Sequence, residues 1–264
     1  TPCGTLFPYT TLFRSMEKAV KEVASNMPDT YFAGIDIGAG EDDPDNFKGI
    51  LYKEEQAGYL AGIVAGMMTK KHADKSDKLN DQNVVGVVLG MFVPPVERYE
   101  VGFIQGVKRV NPDCEVLSVT TGSFTDQAKG KESAIAMIDK GADIVFQVAG
   151  LTGLGVIQGA KEKGVMAIGV DVDQNYVAPE TVLTSAEKKI PRSVFLAVEE
   201  VVEDNFQGGT SVYGLEQDGI GLSPFHAFED VVPQEVKDEV EKAKQEILSG
   251  EVDMSRCINE IDLM

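Results

Sequence analysis

The sequence predicts a two-lobed α/β protein, each lobe built on a mostly parallel sheet flanked by helices. Three observations carry this expectation. The chain has 264 residues, too long for one ordinary lobe and comfortable for two of about 100–150 residues each. From Met16 onward, helical stretches alternate with short apolar runs, which is the pattern of parallel α/β architecture. Four of those runs, at 84–90, 114–119, 143–148 and 165–170, are β-branched and almost uninterrupted, as strands covered on both faces must be.

Taken in order, MEKAVKEVASNM reads as a helix and TYFAGID as a strand closing on Asp36. The acidic turn GEDDPDN leads to a second strand, FKGILY. KEEQAGYLAGIVAGMMTK is a long helix whose small residues suit close packing, and KHADKSDKLNDQN is an unpatterned surface loop or linker. The four apolar runs follow, with helical stretches between them. After VLTS (182–185) a helix is expected over AEKKIPRSVFLAVEEVVEDNF, interrupted early by Pro191 and carrying Lys188 in its first turn. SVYGLEQDGIGL then reads as a strand pair around glycines. The tail helix gathers Val236, Val240, Ala243, Ile247 and Leu248 on one face. The first lobe is expected over 16–82 and 184–208, the second over 83–183 and 209–264, with crossing segments near 80–84, 181–186 and 208–212. Right-handed crossovers place the loops that follow the strands on one edge of each sheet, where open α/β sheets bind ligands.

Composition narrows the function. A net charge of −19 argues against nucleic acid, whose binders present a basic stripe, and against adhesion to anionic lipid. No run of 18 apolar residues is present to span a membrane. Cys3, Cys114 and Cys257 form neither a disulfide framework nor a metal spacing, and His72 and His226 have no catalytic partner at a recognisable spacing. The chain is expected to be no enzyme and to use no cofactor or metal, and it is also expected to be a monomer. Residues Thr5 to Ser15, TLFPYTTLFRS, match the translation of a common short-read sequencing adapter. Residues 1–15 are expected to be a non-native artefact, with native sequence starting near Met16 inside the first lobe.

Five residues are candidates for binding. Asp36 ends a strand, where its carboxylate can accept from a base N–H or a sugar hydroxyl, or simply cap a turn. Tyr99 follows the first strand of the series and offers a ring for stacking on a base; Phe92 is the neighbouring alternative. Gly150, in AGLTGLG after DIVFQV, lets a ligand approach the backbone at a helix start, although the segment is neither GxGxxG nor a Walker sequence. Asp171 ends another strand and can accept from two vicinal hydroxyls, the way dinucleotide-binding folds hold a ribose. Asp173 points the other way and reads as structural. An EF-hand loop from Asp171 is excluded, because Tyr176 and Val182 fall where Gly and Glu are needed. Lys188 works against the dipole of its expected helix, which donating to a ligand hydroxyl or orienting Asp171 would justify; a solvated lysine is the alternative reading, and Lys189 is the neighbouring decoy.

Six ordered segments, KGILYKEEQAGYLAGIVAG, PPVERYEVGFIQGVKRVNP, TGSFTDQAKGKESA, GADIVFQVAGLTGLGVIQGAKE, IGVDVDQ and VLTSAEK, together resemble the basic membrane protein family of ABC-transporter substrate-binding lipoproteins. The resemblance implies a type 1 periplasmic-binding-protein fold with an incomplete first lobe. It also implies capture of a nucleoside between the lobes by hinge closure, and delivery to permease subunits. Asp36 resembles the family's acidic residue facing the base, and Tyr99 stands at its stacking position. Gly150 matches the backbone contact, while Asp171 and Lys188 match the ribose-binding pair. Leu151 departs from the small residue common in relatives. The implied location is extracytoplasmic, held by a lipid anchor that lies outside this chain together with the signal peptide. The competing expectations are the effector domain of a transcription regulator and a nucleoside hydrolase.

Overall fold

A computed structural model describes residues 16–254; the expected artefact at 1–15 with its Cys3, and also Cys257, lie outside the described residues. In chain order the first elements are α1 (Glu17–Asn26), β1 (Phe32–Ile35), β2 (Phe47–Tyr52), α2 (Glu54–Met68), β3 (Val84–Leu89) and α3 (Pro94–Val110). Next come β4 (Glu115–Thr120), α4 (Gln127–Ile138), β5 (Ala142–Val148), α5 (Thr152–Lys163) and β6 (Met166–Asp171). The chain continues through β7 (Val182–Lys188), α6 (Ile190–Val202), β8 (Gly209–Tyr213), β9 (Ile220–Leu222) and α7 (Gln234–Leu248).

The chain divides into two compact units. Among the described residues, one holds 16–53 together with Lys189–Gly219, and the other holds Glu54–Lys188 and 220–254. The expected boundaries near 82, 184 and 208 are thereby corrected, and so are the expected crossing segments. The chain crosses at 53/54, 188/189 and 219/220. The physical reason lies in α2, which packs along α3 and against β7 and β9, so the polar loop after it is internal to the larger unit.

The smaller unit carries a parallel sheet in the order β1-β2-β8. Its first helix is held by one side chain. The Asn46 amide nitrogen lies 3.0, 2.9 and 2.7 Å from the carbonyl oxygens of Ala24, Met27 and Thr30, at and just beyond the end of α1, the first two of which also accept backbone N–H groups. Phe47, Ile37 and Ala24 close the small core beneath. On the other flank, the Tyr52 hydroxyl meets Ser193 Oγ at 2.5 Å, joining β2 to α6.

The larger unit carries six strands in the order β4-β3-β5-β6-β7-β9, with only β9 antiparallel. Strand β5 shows why the runs have no polar alternation. Val145 packs with Met137 of α4 and Val156 of α5, whereas the next residue, Phe146, meets Tyr99 and Phe103 of α3. Successive side chains enter opposite helical layers, so both must be apolar. Helices α2 and α3 approach to backbone contact. A Cβ on Gly58 would lie 2.3 Å from the Tyr99 carbonyl oxygen, and one on Gly102 would lie 2.0 Å from that of Glu55. The tail helix α7 buries Val236, Ala243 and Ile247, and Arg109 of α3 fastens it by donating to Glu239 and Glu246 at 2.7 and 2.5 Å.

Two local expectations are corrected. Lys188 ends β7 instead of opening a helix, and Pro191 sits in the first turn of α6, where a missing N–H costs nothing. The SVYGLEQDGIGL segment is not a strand pair: β8 runs parallel to β2, while β9 runs antiparallel to β7 in the other sheet.

Candidate ligand site at the carboxyl edge of the larger sheet

Four of the five expected site residues, Tyr99, Gly150, Asp171 and Lys188, lie in the larger unit; Asp36 lies in the smaller. Asp36 follows β1 with φ +56°, and its N–H donates to the Ile50 carbonyl at 2.8 Å. Asp171 is the last residue of β6, with φ +65°. Both carboxylates thus stand at strand ends on left-handed backbone, a conformation Asp tolerates better than most residues and one that collects at functional sites.

Around Asp171 the unit concentrates charge in its interior. Asp171 pairs in register with Glu187 of β7, which brings the adjacent Lys188 to the same end of the sheet. Lys188 is 3% exposed, and its Nζ lies 2.9 Å from Oε1 of Glu54, which is 0% exposed. The second Glu54 oxygen accepts from Arg98 Nε at 2.7 Å, and the same Nε stands 3.9 Å from a Glu55 oxygen. Burial pushes the Asp171 carboxyl above its usual range; Lys188 pulls it back down, and Glu54 pushes it further up. A carboxylate held this way is a strong acceptor with a reason to seek donors.

The turn after Asp171 is fixed by a buried amide pair. Gln174 Oε1 accepts from Gln147 Nε2 at 2.5 Å and from the Val170 N–H at 3.0 Å, while the Gln174 N–H donates to Ser185 Oγ at 3.0 Å. Gln147 Oε1 in turn accepts from the Ala149 N–H at 3.1 Å, just before Gly150. Gly150 has φ +57°, and a Cβ there would come to 3.3 Å from the Phe124 carbonyl oxygen. The Thr152 N–H at the start of α5 already donates to that oxygen at 3.1 Å. Asp173 accepts from His226 Nε2 at 2.7 Å, which fits its structural reading.

The same edge exposes large apolar side chains. Met91 and Phe92 follow β3, Leu151 follows β5, and Val172 follows β6, three strands adjacent in the sheet. Phe92 is 67% exposed. Tyr99, expected to stack on a base, is instead 2% exposed, with its ring edge-on to Phe146 and its hydroxyl 3.4 Å from the Ala186 carbonyl oxygen. The expectation is corrected: the ring sits one turn inside α3 on its sheet-facing side and offers no open face. Glu54, Arg98, Gln147 and Gln174 were not singled out from the sequence. Gln147 left a signal, an amide inside the apolar run DIVFQV; Glu54 left none, since an acid in a first helical turn reads as a complement to the dipole. Among the described residues no cluster of His, Cys, Asp and Glu could hold a metal ion, and no helix is long and apolar enough to cross a membrane.

A family described as ABC transporter substrate-binding protein PnrA-like matches residues 9–256. The chain is 32% identical to an ABC transporter nucleoside-binding protein of Lactococcus lactis subsp. cremoris, over 90% of this chain and 68% of that protein. It is 30% identical to an uncharacterized lipoprotein of Pyrococcus furiosus, over 88% of this chain and 62% of that protein. Among solved structures, a solute-binding protein of an ABC transporter system from Aeropyrum pernix K1 superposes with a TM-score of 0.78 at 28% identity, covering 90% of this chain and 74% of that one. The architecture is the α/β fold of periplasmic solute-binding proteins, two parallel sheets flanked by helices.

Proposed function

The chain belongs to the PnrA-like family of ABC transporter substrate-binding proteins, a family of binding proteins and not of enzymes, and from that premise we propose that its ligand is a nucleoside, with a purine base preferred. The observation that carries this reading is the Asp171–Lys188 arrangement at the end of β6 and β7. One carboxylate accepts from two vicinal hydroxyls, and the neighbouring ammonium donates to a hydroxyl oxygen, which together describe a ribose. The apolar side chains Met91, Phe92, Leu151 and Val172 on the same edge supply a surface for a flat base. Gly150 supplies close backbone approach. The nucleoside-binding relative supports the same reading from outside the molecule.

The ligand is handed to membrane permease subunits, and the protein works outside the cytoplasm on a lipid anchor; a relative named as a lipoprotein supports this location. The ligand class is tested by calorimetric titration with inosine, uridine and D-ribose. The nucleoside reading requires inosine to bind at least about 100-fold more tightly than free ribose, since base contacts are worth several kcal/mol. Equal affinity for ribose and inosine would make this a sugar receptor.

A further inference from the structure

Glu54 is buried between two cations, yet it is not among the five residues that the sequence offered as candidates for binding. Its two carboxylate oxygens are divided: one faces Lys188 Nζ at 2.9 Å, the other Arg98 Nε at 2.7 Å. Glu54 opens α2 and Lys188 ends β7, so this ion pair ties the two elements at the edge that carries Asp171. Close packing of α2 on α3 makes the arrangement stiff. Gly102 sits in backbone contact with Glu55, and Arg98 lies one helical turn before it.

We propose that Glu54 is the positioning residue of the site: it draws the Lys188 ammonium away from Asp171 and so leaves the Asp171 oxygens open to a ligand's hydroxyls. The inference rests on the nucleoside reading of that site. A buried lysine beside two carboxylates pairs with whichever approaches best. Without Glu54, the pull of Asp171 on Lys188 would be less opposed, and the ammonium would compete for the lone pairs that a vicinal diol needs. With Glu54 holding it at 2.9 Å, Lys188 is shared, and Arg98 prevents Glu54 from turning away. The groups acting on Asp171 are Lys188 of β7 and Glu54 of α2; behind them stand Arg98 of α3 and Glu55 of α2.

The test is Glu54→Gln in the full chain, read in two ways. Without ligand, the titration of the Asp171 carboxyl is followed by carbon-13 NMR, with assignment through Asp171→Asn. Removing the Glu54 charge takes away a group that pushes the Asp171 carboxyl up and weakens the competition for Lys188, so the Asp171 midpoint is expected to move to lower pH. With ligand, inosine affinity is expected to fall about tenfold or more, and the acid limb of binding to shift to lower pH with the Asp171 midpoint. Glu54→Asp keeps the charge but withdraws the carboxylate by about one C–C bond, ~1.5 Å, and is expected to lie between wild type and Glu54→Gln in both readings. Should Glu54→Gln fail to fold, Glu54→Asp alone decides the matter. An unmoved Asp171 midpoint in the folded variants overturns the proposal. So does a moved midpoint with unchanged inosine affinity. A wild-type chain that binds no nucleoside but shows the moved midpoint would retain the positioning role and remove only the ligand assignment.

Discussion

Gln147 and Gln174 are joined by a buried amide-to-amide hydrogen bond of 2.5 Å, and through it the end of β5 is locked to the turn that follows Asp171. Gln174 also receives the Val170 N–H, the last backbone donor before Asp171. A turn held on both sides in this way presents its carboxylate in one orientation, which lowers the entropy cost of binding.

Replacing Gln147 with Leu removes the amide that donates to Gln174 Oε1 and leaves the Ala149 N–H without its acceptor. The expected cost is about 1–3 kcal/mol of stability, because a buried donor is left unpaired. Urea unfolding measures it. Inosine affinity is expected to fall in the same variant, since Gly150 and Asp171 both lose a fixed neighbour.

Gly102→Ala places a methyl group 2.0 Å from the Glu55 carbonyl oxygen. The two helices must separate, and overpacking of this kind costs about 1–3 kcal/mol or more. A lowered melting temperature is expected together with weakened inosine binding, because Arg98 and Glu54 move apart with the helices. Unchanged stability would show that α2 and α3 do not pack backbone to backbone.

Asp143, fully buried at the start of β5, supplies a pH prediction. Its Oδ2 accepts from the Asn80 N–H at 2.9 Å and from Thr69 Oγ1 at 3.2 Å, while Oδ1 has no hydrogen-bond partner among the described residues. Burial pushes its carboxyl up to about 6, against the smaller opposing effect of those two donors. The folded state therefore holds a proton that the unfolded state has already released, between about pH 4 and pH 6. This residue's contribution is favourable at low pH and is lost as pH rises through that window, by roughly 3 kcal/mol in all. The difference in unfolding free energy between wild type and Asp143→Asn should follow this course, with the variant the more stable at neutral pH. A difference independent of pH would contradict it.

The corrected position of Tyr99 separates two aromatic residues. Phe92→Ala is expected to weaken inosine binding about tenfold, the loss of one aromatic contact. Tyr99→Phe is expected to leave it within about twofold, since the Tyr99 side chain is buried with its ring edge-on to Phe146. Fluorescence or calorimetric titration distinguishes the two.

These residues also show how far the sequence could be read. The runs at 84–90, 143–148 and 165–170 became β3, β5 and β6 almost residue for residue, because strands covered on both faces leave a pattern of continuous apolar residues. Asp171 was legible for the same reason, as the first acid beyond such a run. Lys188 was assigned to a helix because AEKK has helical propensity; pairing with β6 and β9 overrode it. Tyr99 was misread because position after a strand says nothing about which face of the next helix a ring occupies. Glu54 and Arg98 are 44 residues apart in the chain, and only the glycine contacts between α2 and α3 bring them together. The boundary at Lys53 was missed because polar composition marked the loop after α2, while packing of α2 itself decides the division.

The claim on which the account turns is that Asp171 reads the hydroxyls of a nucleoside, and calorimetric titration of inosine into wild type and Asp171→Ala tests it most directly. Saturable binding to the wild-type chain and a loss of about 100-fold or more in the variant are predicted, the worth of two hydrogen bonds to a charged acceptor. Equal affinity in a folded Asp171→Ala variant would contradict it.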